Sequence, residues 1–376
     1  MSRIPQETVQ FPRILLVAVD APYNKTTDMS AYFQEFVNLV HTNGLEYVDM
    51  VTFKLRTTDS ATFLTKGHLE TLAQLCRDKD IEEVIISEAL TSQQERNLNN
   101  ILGCPVFDRT QLILEIFEKA ALSAEGKTQV QIAMLQHKKS RVAGKGIHFS
   151  QQAGGIGQRG GAGETAKEKE LRHIEEHILK LKRHLEAIER ARNTQRKRRL
   201  SSRVPHVCLI GYTNAGKSTI LNALTKSDVA AEDKLFVTLD TTTRELYIHS
   251  EKVGVISDTV GFIQQLPHKL IEAFKSTLQE LQYANLLLHV IDLSDKNWQA
   301  HIKVVHAILA DLGVVTPMLY VFNKIDKLGL ENAPEERAVL EQQLAQYQPH
   351  VLVSAQSKET LTPLTEYLHD WHQKKQ

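Results

Sequence analysis

The sequence predicts an α/β protein of three parts: a small parallel α/β domain (1–120), a helical hairpin with its linker (121–204) and a doubly wound α/β domain (205–376). Short apolar runs alternate with helical patterns in the first and last parts, which predicts parallel sheets. The middle part instead combines a glycine-rich stretch with a heptad-like helix. A phosphate-loop pattern follows the first apolar run of the last part.

Composition excludes several protein classes. Hydrophobic residues make up 42% of the 376 and charged residues 24%, which is typical of a globular protein and excludes a disordered or fibrous one. No apolar run approaches the ~18 residues of a membrane span. The three cysteines lack metal-ligand spacing and indicate reduced thiols. We therefore expect a cytoplasmic protein, with peripheral membrane association as the alternative.

The first part contains four predicted strands, at Ile14–Val19, Val48–Phe53, Val84–Ile86 and Val106–Phe107. Helical patterns separate or follow them, at Tyr32–Val40, Lys66–Cys76, Ser92–Ile101 and Thr110–Lys119. No glycine-rich phosphate loop follows the first strand, so we assign no nucleotide to this domain.

The middle part is built around a glycine-rich loop. Residues 144–163 contain eight of the 18 glycines, a density that no regular element tolerates. The helix that follows has an apolar seam with spacings of 3 and 4, at Leu171, Ile174, Ile178, Leu181, Leu185 and Ile188. Such a seam needs a partner, and the helix before the loop is the nearest candidate. The prediction is a helical hairpin.

The middle part is also strongly basic. Between Lys127 and Arg203 there are 19 Lys/Arg and 7 Asp/Glu, although the whole chain has no net charge. This pattern favours binding to a polyanion, and a solvated helix face is an equal alternative. Arg141, Lys145 and Arg159 lie in or beside the glycine-rich stretch, so we predict that they contact RNA phosphates.

The last part has buried strands predicted at Val207–Ile210, Val253–Ile256, Leu286–Ile291, Met318–Phe322 and Val351–Val353, with helices between them. After the first strand, residues 211–218 match the phosphate-loop pattern GxxxxGK[ST]. Lys217 would reach the β- and γ-phosphates, and the Ser218 hydroxyl would bind Mg²⁺. The predicted nucleotide contacts here are Gly211, Tyr212, Thr213, Asn214, Ala215, Gly216, Lys217, Ser218 and Thr219.

Two further motifs follow in order. Asp258 to Gly261 reads DTVG, and Asp258 could hold Mg²⁺ through water while the Gly261 N–H meets the γ-phosphate. Asn323 to Asp326 reads NKID, and the Asp326 carboxylate could accept hydrogen bonds from guanine N1–H and N2–H₂, a donor pair that adenine lacks. The predicted contacts are Asp258, Thr259, Val260, Gly261, Asn323, Lys324 and Asp326, with Ser354 and Ala355 near the guanine O6. This order of motifs favours GTP over ATP.

The catalytic group is not identified by the residues. Phe262 follows Gly261, where many GTPases have a glutamine that positions water, and Gln264 and Gln265 are displaced from that position. We therefore expect slow intrinsic hydrolysis. Between the phosphate loop and Asp258, residues 235–244 contain four threonines, one of which should bind Mg²⁺ and the γ-phosphate; the residues alone do not choose among them.

These motifs together resemble the HflX-type GTPases of the translation-factor class. The most specific matches are LFVTLDTTTR (235–244) and DTVGFIQQLPHKLIEAFKSTL (258–278), and FDRTQLILEIFEKAALSAEGKTQVQIAML (107–135) and GGIGQRGGAGET (154–165) are also similar. The resemblance implies a P-loop GTPase domain with Thr238 as the metal-binding threonine and Phe236 and Val237 as nucleotide contacts. Gln356 departs from the family, in which lysine is usual.

The resemblance also implies a function. Such proteins bind the large ribosomal subunit and dissociate stalled ribosomes under stress, with GTP hydrolysis, dependent on Mg²⁺, controlling release. For this chain we expect GTP and GDP, the large subunit and its RNA as partners, a monomeric state, and stimulation by the subunit. The alternative is an RNA-binding regulatory GTPase that acts outside the ribosome or at the membrane surface.

Overall fold

The computed structural model describes residues 12–24, 26, 28–143, 166–201, 204–225, 234–265, 270, 278, 280–329, 334–357 and 359–374. They form two compact units. The first contains the described residues up to Ile116 and those of Met134–Ile178, and the second contains Phe117–Ala133 and the described residues from Leu179 onward. The helical middle part contributes residues to both units, and the three-part division of the chain stays a prediction.

The first unit is built on a four-stranded parallel sheet with strand order β2-β1-β3-β4. The strands are β1 (Ile14–Asp20), β2 (Asp49–Lys54), β3 (Glu83–Ile86) and β4 (Val106–Asp108). The helices are α1 (Met29–Thr42), α2 (Lys66–Asp78), α3 (Ser92–Leu102) and the first part of α4 (Arg109–Ala120). The continuous apolar strands are buried, as expected of a parallel sheet covered by helices. The predicted α/β class is confirmed.

Two long helices make up the middle part: α5 (Ala124–Ala143) and α6 (Ala166–Ser201). Within the first unit, ion pairs join them, from Lys138 to Glu170 at 3.3 Å and from Lys139 to Glu175 at 2.7 Å. All six predicted seam positions of α6 are buried or half-buried, while most residues between them are exposed. These ion pairs join the N-terminal part of α6 to α5, and the helical hairpin itself stays a prediction.

The second unit has a six-stranded sheet with strand order β10-β9-β8-β5-β7-β6. Its strands are β5 (His206–Gly211), β6 (Thr242–Ile248), β7 (Glu251–Asp258), β8 (Leu286–Asp292), β9 (Met318–Asn323) and β10 (His350–Leu352). All are parallel except β6, which pairs antiparallel with β7. The sequence predicted the five parallel strands and missed β6, which buries only alternate residues, Leu246 and Ile248 among them, because it lies at the edge.

Helices cover this sheet, and the nucleotide motifs lie together at one edge of it. They are α7 (Lys217–Thr225), α8 (Glu280–Tyr283), α9 (Trp298–Asp311), α10 (Pro334–Leu344) and α11 (Thr362–Gln373), with 3₁₀ turns at Ile325–Lys327 and Glu359–Leu361. The three nucleotide motifs follow the carboxyl ends of β5, β7 and β9, where ligands bind in doubly wound folds. Within the described helices, we find none with enough length and apolar character to span a bilayer.

Candidate nucleotide-binding site

The phosphate loop joins the end of β5 to the start of α7. Asn214 and Gly216 both have positive φ, of 60° and 95°, and such turns allow successive main-chain N–H groups to form an anion-binding concavity at a helix N-terminus. A Cβ at Gly216 would collide with the Asn323 side-chain amide, and one at Gly211 would collide with the Val290 carbonyl oxygen. The two glycines of the motif are therefore required both by backbone conformation and by close approach.

Lys217 is buried beneath this loop. Only 6% of the residue is exposed, and its Nζ donates hydrogen bonds to the carbonyl oxygens of Tyr212 at 2.8 Å and Gly211 at 3.3 Å. Burial lowers the pKa of Lys217 to about 8, and the Asp258 carboxylate opposes that shift. The lysine therefore has its amino group at the loop, where an anion would raise the pKa again.

Three oxygen-bearing side chains converge beside Lys217. The Ser218 hydroxyl donates to Asp258 Oδ2 at 2.6 Å, and Thr238 Oγ1 lies 2.8 Å from Ser218 Oγ. Asp258 is fully buried, and its Oδ1 has no hydrogen-bond partner in the described part of the chain. Burial raises the pKa of Asp258, while the Lys217 ammonium and the Ser218 hydroxyl oppose this. One carboxylate and two hydroxyls are oxygen donors of the kind that Mg²⁺ binds together with phosphates and water, so the residues fit that ion.

The geometry locates two of the four threonines. Thr238 faces Ser218, whereas Thr243 lies in β6 with its hydroxyl 2.7 Å from Ser257 Oγ. Thr238 also lines a cleft over the phosphate loop together with Phe236 and Val237. The same cleft is lined by Lys234, which belongs to none of the sequence motifs, and by Gly261. Its remaining lining residues are Thr213, Asn214, Gly216, Lys217, Ser218 and Thr219.

A second cleft shares Asn214, Gly216 and Thr219 with the first and is also lined by Asn323. The buried Asn323 amide donates to the Ala215 carbonyl oxygen at 2.9 Å, and its Oδ1 accepts from Ala355 N–H at 3.0 Å. Lys324 has a φ of 64°, and its Nζ lies 2.9 Å from the Asn214 carbonyl oxygen and 2.7 Å from Asp292 Oδ2. The cleft is lined by Asn214, Gly216, Thr219, Asn323, Lys324, Asp326, Lys327, Ser354, Ala355 and Gln356.

Asp326 stands exposed at this second cleft, in the 3₁₀ turn after β9. Several other predicted contacts have side chains that belong to the protein interior. Thr259 donates to the Leu209 carbonyl oxygen at 2.7 Å, and the Tyr212 ring stacks on His301 with centroids 3.8 Å apart. Tyr212, Ala215, Thr259 and Val260 are buried and are not among the residues that line the two clefts.

No glutamine side chain lines the cleft over the phosphate loop, as far as the described residues show. The Phe262 residue is buried, and its main chain pairs with Thr213 N–H and the Gly211 carbonyl oxygen. Gln264 is also buried, and its N–H donates to Tyr212 Oη at 2.8 Å. The phenyl ring of Phe262 has no polar atom with which to orient water, and slow intrinsic hydrolysis stays a prediction.

The structure corrects the prediction for Arg141. Its side chain is only 13% exposed and forms ion pairs with Asp108, at 2.8 Å, and with Glu95, while it also donates to the Leu90 carbonyl oxygen. These partners lie on other elements of the first unit, so Arg141 stabilises that unit and its guanidinium is not available to RNA. Position in the sequence suggested an exposed residue, but burial beside two acids decided otherwise. Lys145 and Arg159 lie outside the described residues.

Comparison with known proteins agrees with this geometry. Three family models match successive regions: "GTP-binding GTPase N-terminal" at residues 30–118, "GTP-binding GTPase Middle Region" at 120–199 and "50S ribosome-binding GTPase" at 206–324. The chain is 44% identical to GTPase HflX of Caldanaerobacter subterraneus subsp. tengcongensis over 87% of this chain and 75% of that protein. It is 43% identical to GTPase HflX of Magnetococcus marinus over 95% of this chain and 82% of that protein.

A solved structure supports the fold. The crystal structure of the SsGBP–GDP complex matches with a TM-score of 0.50 and 22% identity, and covers 96% of this chain and 99% of that one. The curated relatives decide the family, because their identity is far higher and extends through all three regions. From these sequence relatives and the assembled nucleotide motifs, we conclude that the chain belongs to the HflX family of GTPases, binds guanine nucleotide and hydrolyses GTP.

Proposed function

We propose that this GTPase binds the large ribosomal subunit, dissociates or rescues stalled ribosomes under stress, and leaves when GTP is hydrolysed. The observation that carries the proposal is the match of residues 206–324 to the "50S ribosome-binding GTPase" model. The excess of basic residues between Lys127 and Arg203 supports it, because ribosomal RNA is a polyanion. We further propose that the protein acts as a monomer.

Exposed basic residues of α6 could supply part of the RNA contact. Lys180, Lys182 and Arg183 are all exposed on this helix. Lys145 and Arg159 remain proposed phosphate contacts, whereas Arg141 is not. Each phosphate contact on a single-stranded segment should contribute about −0.7 to the slope of log affinity against log salt concentration.

The nucleotide cycle would use the residues of the two clefts. Lys217 and the loop N–H groups would bind the β- and γ-phosphates, and Asp326 would recognise guanine. Ser218 and Thr238 would hold Mg²⁺ directly, and Asp258 would hold it through water. When bound, this ion neutralises charge that develops on the phosphates. Because Thr238 and Gly261 would meet the γ-phosphate side, both would lose a contact after hydrolysis.

Sedimentation with purified ribosomal subunits tests the proposal. The protein should sediment with large subunits in the presence of a non-hydrolysable GTP analogue and should be released in GDP, while small subunits should not retain it. Lys217→Ala should remove the dependence on nucleotide, since it removes the phosphate-binding amine. Equal binding in all nucleotide states, or equal binding to both subunits, would contradict the proposal.

A salt series then tests the basic residues. Lys145→Ala with Arg159→Ala, and separately Lys180→Ala with Lys182→Ala and Arg183→Ala, should each flatten the salt slope by about one to two. Lys303→Ala, which removes an exposed lysine of α9, is the matched control and should leave the slope unchanged. Parent-like slopes for both sets of variants would show that these residues form only a solvated surface.

A further inference from the structure

The loop that contains Thr238 is held by a distant part of the chain. In the second unit, residues 117–126 include the end of α4, a short turn and the start of α5; we call them the α4–α5 junction. Phe236 and Asp240 each contact this junction, and they flank Thr238 by two residues on either side. Phe236 also lines the cleft over the phosphate loop, whereas neither Asp240 nor any residue of the junction lines either cleft.

Asp240 binds the N-terminal end of α5. Its Oδ2 accepts hydrogen bonds from the main-chain N–H groups of Leu122 and Ser123, both at 2.7 Å, and its Oδ1 accepts from the Ser123 hydroxyl at 2.5 Å. The Ser123 Oγ in turn accepts from Gly126 N–H at 2.9 Å and so caps the helix. A carboxylate at a helix N-terminus is favoured by the partial positive charge there, and hydrogen bonds to an ionised acceptor are the stronger kind.

The fit around this carboxylate is close. Gly126 lies in the first turn of α5, and a Cβ built on it would collide with Asp240 Oδ1. The Asp240 side chain can therefore reach the turn only because residue 126 has no side chain.

Phe236 provides the contact on the other side of Thr238. Its ring is buried and meets the Phe117 ring edge-on, with centroids 4.6 Å apart. Its φ is +57°, in the left-handed region that non-glycine residues rarely adopt. Such a conformation persists where surrounding packing requires it, and here that packing includes Phe117.

We propose that Asp240 is a positioning residue for GTP hydrolysis: through the α4–α5 junction it holds the loop so that the Thr238 hydroxyl meets Ser218. The proposal rests on the proposed role of Thr238 in Mg²⁺ binding. Thr238 Oγ1 lies 2.8 Å from Ser218 Oγ in a segment without regular secondary structure, so its position depends on the residues that hold the segment at each end. The start of the middle region would thereby help to set the nucleotide-responsive loop.

Asp240→Ala tests this in single-turnover GTP hydrolysis over a series of Mg²⁺ concentrations. We expect a maximal rate about tenfold lower and a higher Mg²⁺ requirement, because the loop would occupy the correct position less often. Affinity for GDP should not change, since Thr238 is expected to act on the triphosphate side. Asp240→Asn should recover part of the rate, because its amide oxygen can still accept from Leu122 and Ser123 N–H.

Gly126→Ala gives a second test, in which the sequence of the loop that contains Thr238 is unchanged. Alanine favours the helix more than glycine does, yet its Cβ would displace the Asp240 carboxylate. We expect a lower rate with only a small change in thermal stability, because the helix preference of alanine offsets part of the lost hydrogen bonding. In the Gly126→Ala, Asp240→Ala double variant the second substitution should add nothing, because both remove the same contact. Fully additive effects of the two substitutions would overturn the proposal.

Two reference variants make the outcomes distinguishable. Glu245→Ala removes an exposed carboxylate of the adjacent strand β6, which binds Lys252 and Tyr247, and should behave as the parent. Thr238→Ala should reproduce the Mg²⁺ defect. If Thr238→Ala hydrolyses GTP more slowly than the parent but Asp240→Ala hydrolyses it as fast as Glu245→Ala does, the proposed role of Asp240 is refuted. The proposed role of Thr238 is then unaffected. If Thr238→Ala is itself unimpaired, the metal assignment fails and the role of Asp240 fails with it.

Discussion

Replacing Asn323 with alanine should loosen both the phosphate loop and the base-side loop. The Asn323 side-chain amide donates to the Ala215 carbonyl oxygen at 2.9 Å and accepts from the Ala355 N–H at 3.0 Å. Among the described residues no other side chain joins these two groups, and Asn323 is only 2% exposed. Removing it leaves two main-chain groups without that partner. At about 1–3 kcal/mol for each unsatisfied group, with water able to reach the cleft side, we expect a loss of about 2–4 kcal/mol in stability.

The assay is thermal unfolding with and without GDP. GDP should raise the midpoint temperature of the transition in which the nucleotide-binding unit unfolds, which identifies that transition. For a unit of this size, the expected loss corresponds to a Tm lower by roughly 5–10 °C. GDP affinity should also fall about tenfold, equivalent to about 1.4 kcal/mol, because both loops border the nucleotide clefts.

Asn297→Ala is the matched control in the same unit. Asn297 precedes α9, and its side chain makes no capping hydrogen bond, so we expect a change within about 0.5 kcal/mol. If Asn323→Ala and Asn297→Ala have the same Tm and the same GDP affinity, the reasoning from unsatisfied main-chain groups is refuted.

Three other predictions concern the nucleotide. Asp326→Asn should weaken GTP binding and favour xanthosine triphosphate in competition assays; equal affinity of the parent for ATP and GTP would contradict this. Because Phe262 cannot orient water, turnover should be slow alone and should rise with large subunits, by up to about 10³–10⁵-fold; fast turnover that ignores subunits would be the opposite result. Burial lowers the pKa of Lys217 to about 8, so about half of the lysine amines are protonated at pH 8. Because a bound phosphate favours the charged amine, nucleotide binding at pH 8 should be accompanied by uptake of about half a proton per protein molecule. Calorimetry in buffers of different ionisation enthalpy should detect this proton uptake at pH 8. At pH 6.5 Lys217 should contribute none, because it is already protonated. Equal uptake at pH 8 and pH 6.5 would exclude Lys217 as the source of the proton effect.

Local pattern was enough to predict much of the fold. The runs that became β1, β5 and β8 are apolar and buried along nearly their whole length, and such runs between helical patterns specify parallel strands. The phosphate loop was also predictable, because its glycines and its lysine are required within eight consecutive residues by the conformation of one turn. The edge strand β6 was missed because it buries only alternate residues.

The candidate site shows what a single stretch of sequence cannot encode. The sequence by itself predicted which residues bind phosphate, metal and guanine, because these chemical types occur in short motifs of fixed order. Tertiary structure decided that the Thr238 hydroxyl meets Ser218, and that Arg141 is enclosed by acids. It also decided that Asp240 meets Ser123, 117 residues earlier in the chain. The physical reason is that propensity and periodicity act over a few residues, whereas these contacts depend on where whole helices and strands pack, which only the folded chain specifies.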